Sequence, residues 1–224
     1  RFMNAKHLCR IVLGIVVGYG ILFLISILFF DIIFPSRGVE VRIFDVPDAL
    51  HILPIFLSSF LLTFTAAIYL FNSWFEKKWV PLKWSKIYMY MGLAGAFGPT
   101  SEVIINSVSR LITEQPLWLY QFLPVHGGDT SLVMSVIWPL YGFHIYCFDA
   151  ALKARHDKTS DADLALFVGI DAITLEVLAN LFTLSFFYTY IFYYLAGDLN
   201  HLSTALIFIP YVVFGYYAIK VMHK

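Results

Sequence analysis

The 224-residue sequence is 60% hydrophobic and 18% aromatic, and only 13% of its residues are charged. A soluble domain has about 45–50% apolar and about 25% charged residues, and so few charges do not cover the surface of a soluble protein of this size. The composition therefore excludes an ordinary cytosolic enzyme, a disordered chain and a nucleic-acid-binding protein, and it predicts an integral membrane protein. Fifteen basic and fifteen acidic residues give zero net charge, so any information on orientation lies in their positions.

Six apolar stretches are long enough to cross the hydrocarbon core, which takes roughly 20 residues of helix. They cover residues 11–34, 50–71, 87–112, 132–152, 164–190 and 202–221. Their apolar residues do not alternate as barrel strands would, and a helix satisfies its own backbone in lipid. The sequence predicts an all-α, polytopic membrane helix bundle with six transmembrane helices. Residues 1–80 form an N-terminal two-span hairpin in this prediction, and residues 81–224 form a four-span core.

The basic residues predict the orientation of these spans. With six spans, twelve of the fifteen basic residues lie on one side of the membrane. The other side holds only Arg37, Arg42 and Arg110. Because cytoplasmic loops are enriched in Lys and Arg, both termini are expected to be cytoplasmic. A five-span alternative with one re-entrant hairpin would spoil this division. The twelve are Arg1, Lys6, Arg10, Lys77, Lys78, Lys83, Lys86, Lys153, Arg155, Lys158, Lys220 and Lys224.

The last four spans contain what reads as one two-helix unit used twice. Residues 102–106 and 176–180 both follow the pattern E-V-x-x-N. Each copy continues to an outer loop with a Gly-Asp pair and a span with a proline and then a glycine. Because each unit has two spans, the copies would be parallel repeats related by an axis along the membrane normal. The alternative is chance similarity. The later pairs are Gly128-Asp129 with Gly197-Asp198, Pro139 with Pro210, and Gly142 with Gly215.

The same four spans resemble the type IV ABC-transporter family of CmpB-like integral membrane proteins. The resemblance rests on Tyr-Met-Tyr at 88–90 leading to Glu102, on Gly-Asp-Thr-Ser at 128–131 and on Trp-Pro-Leu-Tyr-Gly at 138–142. Leu-Glu at 175–176 and the closing segment 205–215 extend it to about 140 residues. The resemblance implies a membrane component of a transport system. The chain has no G-x-x-x-x-G-K-[ST] motif, so an ATP-hydrolysing motor would be another chain.

Polar residues within the predicted spans are the candidates for a binding site. An ionisable residue inside the bilayer costs roughly 2.5–3.5 kcal/mol on insertion scales, so it marks a functional site by default. Glu102, Asn106 and Arg110 share one helix face at spacings of four residues,. With Glu176 and Asn180 they form the predicted substrate-binding site between the repeats, with Arg110 free to snorkel or to pair with either glutamate. The alternative is that these groups only form hydrogen bonds that hold the helices together.

The remaining polar residues give weaker indications. His144 is expected to be a hydrogen-bonded core histidine, and Asp171 to pair with a polar group on another span. A metal site is conceivable at the outer edge, but no H-E-x-x-H pattern supports it, so no metal is predicted and no cofactor is identified. The aromatic segment 182–194 is typical of a membrane-interface belt. The candidates for the outer metal site are His51, His126, His201, Asp129 and Asp198.

Three functions remain open at this point. The sequence favours a non-catalytic membrane binding or transport component, because no spacing of nucleophile and base and no soluble catalytic domain is visible. A structural subunit of a larger membrane complex is the first alternative. The second is a membrane-embedded lipid or isoprenoid isomerase or cyclase that uses buried carboxylates and aromatic rings. The predicted partners are the lipid bilayer and other membrane protein chains, without nucleic acid, and the predicted location is a membrane that the chain crosses several times.

Overall fold

The computed structural model describes residues 53–75, 81–155, 160–187, 190–195 and 198–223. The described part of the chain is mostly helical, so the helical prediction is confirmed for the last five predicted spans; the first, residues 11–34, lies outside the described residues. Most helix ends fall within a few residues of the prediction. The helices are α1 (Leu53–Phe75), α2 (Trp84–Thr113), α3 (Met134–Arg155), α4 (Asp161–Phe187) and α5 (Phe208–Met222).

Within the described residues, two segments are long and apolar enough to cross a membrane by length and composition. They are Asp161–Leu184, which covers most of α4, and Ala205–Met222, which includes α5. Large apolar side chains on them are exposed, with Ile170 at 52% and Ile209 at 67%. Exposed apolar surface of this kind is typical of contact with lipid or with another chain. These two helices therefore support a membrane localisation.

Close helix contacts are made at glycines. α2 packs against α3, α4 against α5, and α1 against α3. A Cβ atom built on Gly142 of α3 would lie 2.3 Å from the carbonyl oxygen of Tyr90 on α2, and one on Gly95 would lie 2.9 Å from Pro139. Small residues let helix backbones approach this closely. The α2–α3 contact therefore depends on the missing side chain of Gly142.

We expect Gly142→Ala to destabilise the protein by about 1–3 kcal/mol, because the added methyl group collides with backbone rather than with a movable side chain. Gly92 on α2 is the matched control, since a Cβ there meets nothing within 4 Å. Gly92→Ala should leave stability unchanged or raise it by up to about 1 kcal/mol through helix propensity. Thermal unfolding of both variants in the same detergent measures the difference, and equal midpoints would contradict the proposed contact.

Short β-strands in the segments between helices are the main departure from the all-α prediction. β1 (Trp118–Tyr120) pairs antiparallel with β4 (Phe192–Tyr194), and β2 (Pro124–Val125) pairs with β3 (Thr130–Ser131). In the first pair, Leu119 lies opposite Tyr193 at the centre. Buried backbone groups need hydrogen-bond partners, and this pairing supplies them where the chain leaves the helices. Strands of two or three residues are too short to show an alternating pattern in the sequence.

The aromatic segment before α5 also differs from its predicted role. Phe192 and Tyr194 belong to β4 and are 6% and 1% exposed, so part of the predicted interface belt lies inside the protein. The predicted sixth span began at residue 202, but α5 begins at Phe208 after a 3₁₀ turn at Ala205–Ile207. The Thr204 side chain accepts a hydrogen bond from the Leu206 amide at the start of that turn. An apolar run does not distinguish such a turn from a helix.

Candidate functional site

Glu102 and Glu176, the two predicted glutamates, line the same cavity. Its volume is about 100 Å³, and side chains from all five described helices and from β1 and β4 contribute to its wall. The wall is otherwise apolar and aromatic, and no basic side chain from the described part of the chain lines it. The arrangement brings two carboxyl groups from different helices to one partly open, mostly apolar cavity. The aromatic residues of the wall are Phe60, Tyr120, Trp138, Tyr141, Phe192 and Tyr211.

Three donors surround the Glu102 carboxylate. The Tyr120 hydroxyl donates to Oε1 and the Thr130 hydroxyl donates to Oε2. The indole N–H of Trp138 also donates to Oε1, at 3.1 Å. Glu102 is only 5% exposed, so these neutral donors replace water around it. The three donors come from β1, β3 and α3, and the position of Glu102 therefore depends on the loop after α2 as well as on the helices.

Three donors likewise surround Glu176. The Tyr194 hydroxyl donates to Oε2 at 2.8 Å, and the Ser203 hydroxyl donates to the same oxygen at 2.9 Å. The Tyr211 hydroxyl donates to Oε1. These donors come from β4, the segment before α5 and α5 itself. Each glutamate thus has two donors from the segment that follows its helix and one donor from the next helix.

The phenols of the two strands remain protonated donors. Burial, and then the charge of Glu102, raise the pKa of Tyr120 well above its usual range. Burial and the Glu176 carboxylate raise the pKa of Tyr194 in the same way. A carboxylate offers about four acceptor sites, and three donors reach each glutamate here. Each carboxylate therefore keeps capacity for about one further donor, such as a ligand group.

Asn106 is fully buried but acts on the backbone rather than in the cavity. Its amide nitrogen donates to the Trp118 carbonyl at 3.0 Å, and its amide oxygen accepts from the Leu117 N–H at 2.8 Å. Longer contacts join it to the Asp129 carbonyl at 3.5 Å and to the Trp118 N–H at 3.3 Å. Asn106 thereby fixes the start of β1 against α2, and does not line the cavity.

Asn180 makes the corresponding contacts from α4. Its amide nitrogen donates to the Phe192 carbonyl at 3.0 Å and to the Leu202 carbonyl at 2.8 Å. Its oxygen accepts from the Ile191 N–H at 3.1 Å. Asn180 is 0% exposed and, like Asn106, spends both ends of its amide on the loop backbone. The two asparagines are positioning residues for the strands that carry Tyr120 and Tyr194.

Arg110 pairs with Asp129 rather than with either glutamate. Its Nη1 donates to Oδ2 at 2.8 Å and its Nη2 donates to Oδ1, a bidentate arrangement. The Asp129 side chain is 2% exposed, whereas that of Arg110 is 37% exposed. The guanidinium thus compensates a buried carboxylate while reaching the surface. Of the five predicted site residues, only Glu102 and Glu176 line the cavity.

A second buried polar cluster joins three helices beside the cavity. His144 on α3 contacts the Thr65 hydroxyl through Nδ1 at 2.9 Å and the Asp171 carboxylate through Nε2 at 3.1 Å. Tyr141, which lines the cavity, donates to the same Asp171 oxygen at 3.1 Å. His144 is a hydrogen-bonded core histidine, and Asp171 pairs across helices, as the sequence indicated. The cluster ties α1, α3 and α4 together.

A third polar cluster lies where the start of α2 and the ends of α3 and α5 meet. Asp149 accepts from the Tyr90 hydroxyl at 2.9 Å and from the Lys153 amine at 2.9 Å. His223 contacts Asp149 at 3.2 Å and Asp161, at the start of α4, at 2.6 Å. These groups join the ends of four helices and lie away from the two glutamates.

The outer histidines do not come together in the described residues. His126 lies 3.7 Å from Asp129 and is mostly exposed, while His201 contacts the Tyr194 carbonyl at 2.6 Å and stacks on the ring of Tyr193. His51 and the side chain of Asp198 lie outside the described residues. Among the side chains that the structure describes, no three of His, Cys, Asp and Glu are grouped to hold a metal ion.

The six donors around the glutamates were not identified in the sequence. Tyr120 and Tyr194 each follow their glutamate by 18 positions, and this equal spacing was a readable signal. Hydroxyl and indole side chains are common in this sequence, so only the repeated spacing would have identified these donors.

Comparison with known proteins gives no relative: no family model matches the chain, and neither curated proteins nor solved structures match it significantly.

Proposed function

We propose that this chain is a multi-pass integral membrane protein that binds or transports a ligand, without catalysis, at the paired Glu102 and Glu176 site. The observation that carries the proposal is that both glutamates, each surrounded by three neutral donors, line one apolar cavity. Carboxylates sealed between helices would instead suit a structural subunit. A cavity with a few convergent polar groups is the usual form of a small-molecule site.

The proposed site lies between two copies of a two-helix unit, and the spacings of the donors support this repeat. The first donor follows its glutamate by 18 positions in both halves. The second follows by 28 and 27 positions, and the third by 36 and 35. One residue fewer in the second loop accounts for the constant difference. Three matched contacts around each glutamate favour a repeat over chance similarity of two short motifs.

The backbone of the two loops supports the same repeat and revises its alignment. Three successive residues with positive φ, at 126–128 and at 199–201, precede Asp129 and Leu202 respectively. The carbonyls of Asp129 and Leu202 each accept from the asparagine of their own half. Gly128-Asp129 therefore corresponds to 201–202 in our proposal, and not to 197–198, of which Gly197 lies outside the described residues.

The helix contacts are matched as well. Gly95 faces Pro139 across α2 and α3, and Gly169 faces Val212 across α4 and α5, with Cβ positions 2.9 and 2.6 Å from the opposing side chains. In β1 and β4, Leu119 and Tyr193 occupy the same position in their halves and lie opposite each other. This register is the one that a two-fold axis between the two residues would produce, and it supports parallel repeats around a shared site.

The proposed topology has six spans with both termini cytoplasmic. We also propose that the chain is the membrane component of a transport system, as its resemblance to the CmpB-like family implies. Contacts made by two lysines support this orientation. The Lys86 amine donates to the Met222 carbonyl at 3.3 Å, and that of Lys153 lies 2.9 Å from His223. Lys86, Lys153 and the C-terminal end are therefore at one end of the bundle. Arg110 lies near the opposite end of α2, on the side that the positive-inside rule assigns to few basic residues.

We expect Glu102→Gln and Glu176→Gln, made separately, to lose a small molecule or lipid that co-purifies with the unmodified protein. Each substitution removes one buried carboxylate and keeps its size. Native mass spectrometry of protein purified in mild detergent measures the retained ligand. Glu114→Gln is the matched control, because Glu114 is an exposed carboxylate just after the end of the same helix as Glu102.

The control should retain the ligand as the unmodified protein does. The same retained molecules in all four proteins would contradict a site at the paired glutamates. Thermal unfolding midpoints of the variants, recorded in the same preparation, identify any loss that arises from unfolding.

A further inference from the structure

We propose that the ligand of this site is a lipophilic organic cation, such as a protonated amine or a quaternary ammonium, with its charge against Glu102 and Glu176. This inference rests on the proposed binding function and specifies its ligand class. It follows from the charges in the cavity, the aromatic wall and the number of free oxygen ligands.

The charges in the cavity call for a positive partner. Two carboxyl groups line it, and among the side chains that the structure describes no Lys, Arg or His does so. The nearest candidate in sequence, Arg110, is held by Asp129 in a bidentate pair. The donors on Glu102 and Glu176 are neutral hydroxyl and indole groups, which orient the carboxylates without cancelling their charge. Because an uncompensated charge in an apolar space is costly, the ionised carboxylates are stabilised by a cation that enters the cavity.

The wall favours an organic cation. Ring pairs line it edge to face: Tyr120 and Phe192 have centroids 5.6 Å apart, and Trp138 and Tyr141 have centroids 5.7 Å apart. Aromatic faces attract a cation electrostatically and bury its apolar substituents at the same time. Protein sites for quaternary ammonium groups use this combination.

The protein supplies too few oxygen ligands for Ca²⁺, which takes six to eight of them. Two glutamates supply four oxygens, and every one of the four already accepts a hydrogen bond from a neighbouring side chain. A large cation with delocalised or shielded charge needs no such shell, and its charge can rest beside both carboxylates.

The test is calorimetric titration of the purified full-length protein with phenyltrimethylammonium. Its neutral isostere, tert-butylbenzene, is the matched probe, because it has the same shape without the charge. We expect saturable binding of the cation and binding of the neutral probe that is weaker by more than about tenfold, as for loss of a buried charge contact. Glu102→Gln and Glu176→Gln should each weaken binding of the cation by more than about tenfold, and Glu114→Gln should leave it unchanged.

Absence of saturable cation binding by the unmodified protein would overturn the proposal, as would equal binding of the two probes. If the Gln variants still lose their co-purified ligand in either case, the binding site stands and only the ligand class is wrong. Displacement of that ligand from the unmodified protein by the cation, but not by tert-butylbenzene, supports the proposal without any variant. Displacement by both probes to the same extent overturns it.

Discussion

Asn106→Ala should detach the loop after α2 and lower the free energy of unfolding by about 2–6 kcal/mol. The asparagine is fully buried, and its amide satisfies the Trp118 carbonyl and the Leu117 N–H at 3.0 and 2.8 Å. Alanine leaves both backbone groups without that partner. Each unsatisfied buried group costs about 1–3 kcal/mol, so a single substitution removes much of a typical protein's stability.

The same substitution should impair ligand binding, because β1 carries Tyr120. When the start of β1 is released, the Tyr120 hydroxyl no longer stays on Glu102. Asn180→Ala should act equally on β4 and Tyr194, since Asn180 makes three such contacts with its own loop. Comparable losses from the two variants are expected if the two halves are equivalent.

Ser109→Ala is the control for this experiment. Ser109 lies on the same helix and its hydroxyl also donates to the following loop, at the Gln115 carbonyl at 2.9 Å, but this hydrogen bond is exposed to solvent. Water replaces that bond, so its loss should cost less than about 1 kcal/mol. Titration with a denaturing detergent, followed by tryptophan fluorescence, measures all three variants. A loss from Asn106→Ala no larger than that from Ser109→Ala would show that Asn106 does not hold the loop.

The repeated motif led from the sequence to both glutamates, and helical spacing placed Glu102 and Asn106 on one face. The spacing did not show that Glu102 lines the cavity whereas Asn106 bonds the loop backbone. The partners of Asn106 and Asn180 are backbone groups of the loops, and no sequence pattern identifies a backbone acceptor. The turn in the second loop has no glycine to mark it in the sequence, although Leu199, Asn200 and His201 all adopt positive φ. Positive φ is uncommon for leucine, so the matching turn could not be predicted there.

The helices were better predicted than the segments between them. Hydropathy gave 87–112 for α2, which runs Trp84–Thr113, because a helix buried in an apolar environment needs a long apolar run. The start of α5 was placed six residues too early, since 202–207 are apolar enough to read as helix. Asp129 was a candidate for the outer metal site because it lies near His126 in sequence, but its partner in the structure is Arg110, 19 positions away. A polar pair at that distance is not visible without the fold.

Arg110→Leu should destabilise the protein by about 3–5 kcal/mol, because it leaves the buried Asp129 carboxylate without its bidentate partner. The Asp129 side chain is 2% exposed and that of Arg110 is 37% exposed, so the two single variants should differ. Asp129→Leu leaves the guanidinium able to reach solvent and should cost less. A double variant at these two positions is a third test, because the second half of the chain has leucine at both corresponding positions.

Arg110 lies four residues after Asn106, and Leu184 lies four residues after Asn180. Asp129 precedes Thr130 just as Leu202 precedes Ser203. If the halves are equivalent, the double variant Arg110→Leu/Asp129→Leu places leucines at both positions, as in the second half, and should recover most of the stability lost in Arg110→Leu. Replacement of a whole buried ion pair by apolar residues is often neutral, whereas removal of one partner is not. A detergent-unfolding cycle of the four proteins measures this coupling, and additive losses would count against both the repeat and the buried pair.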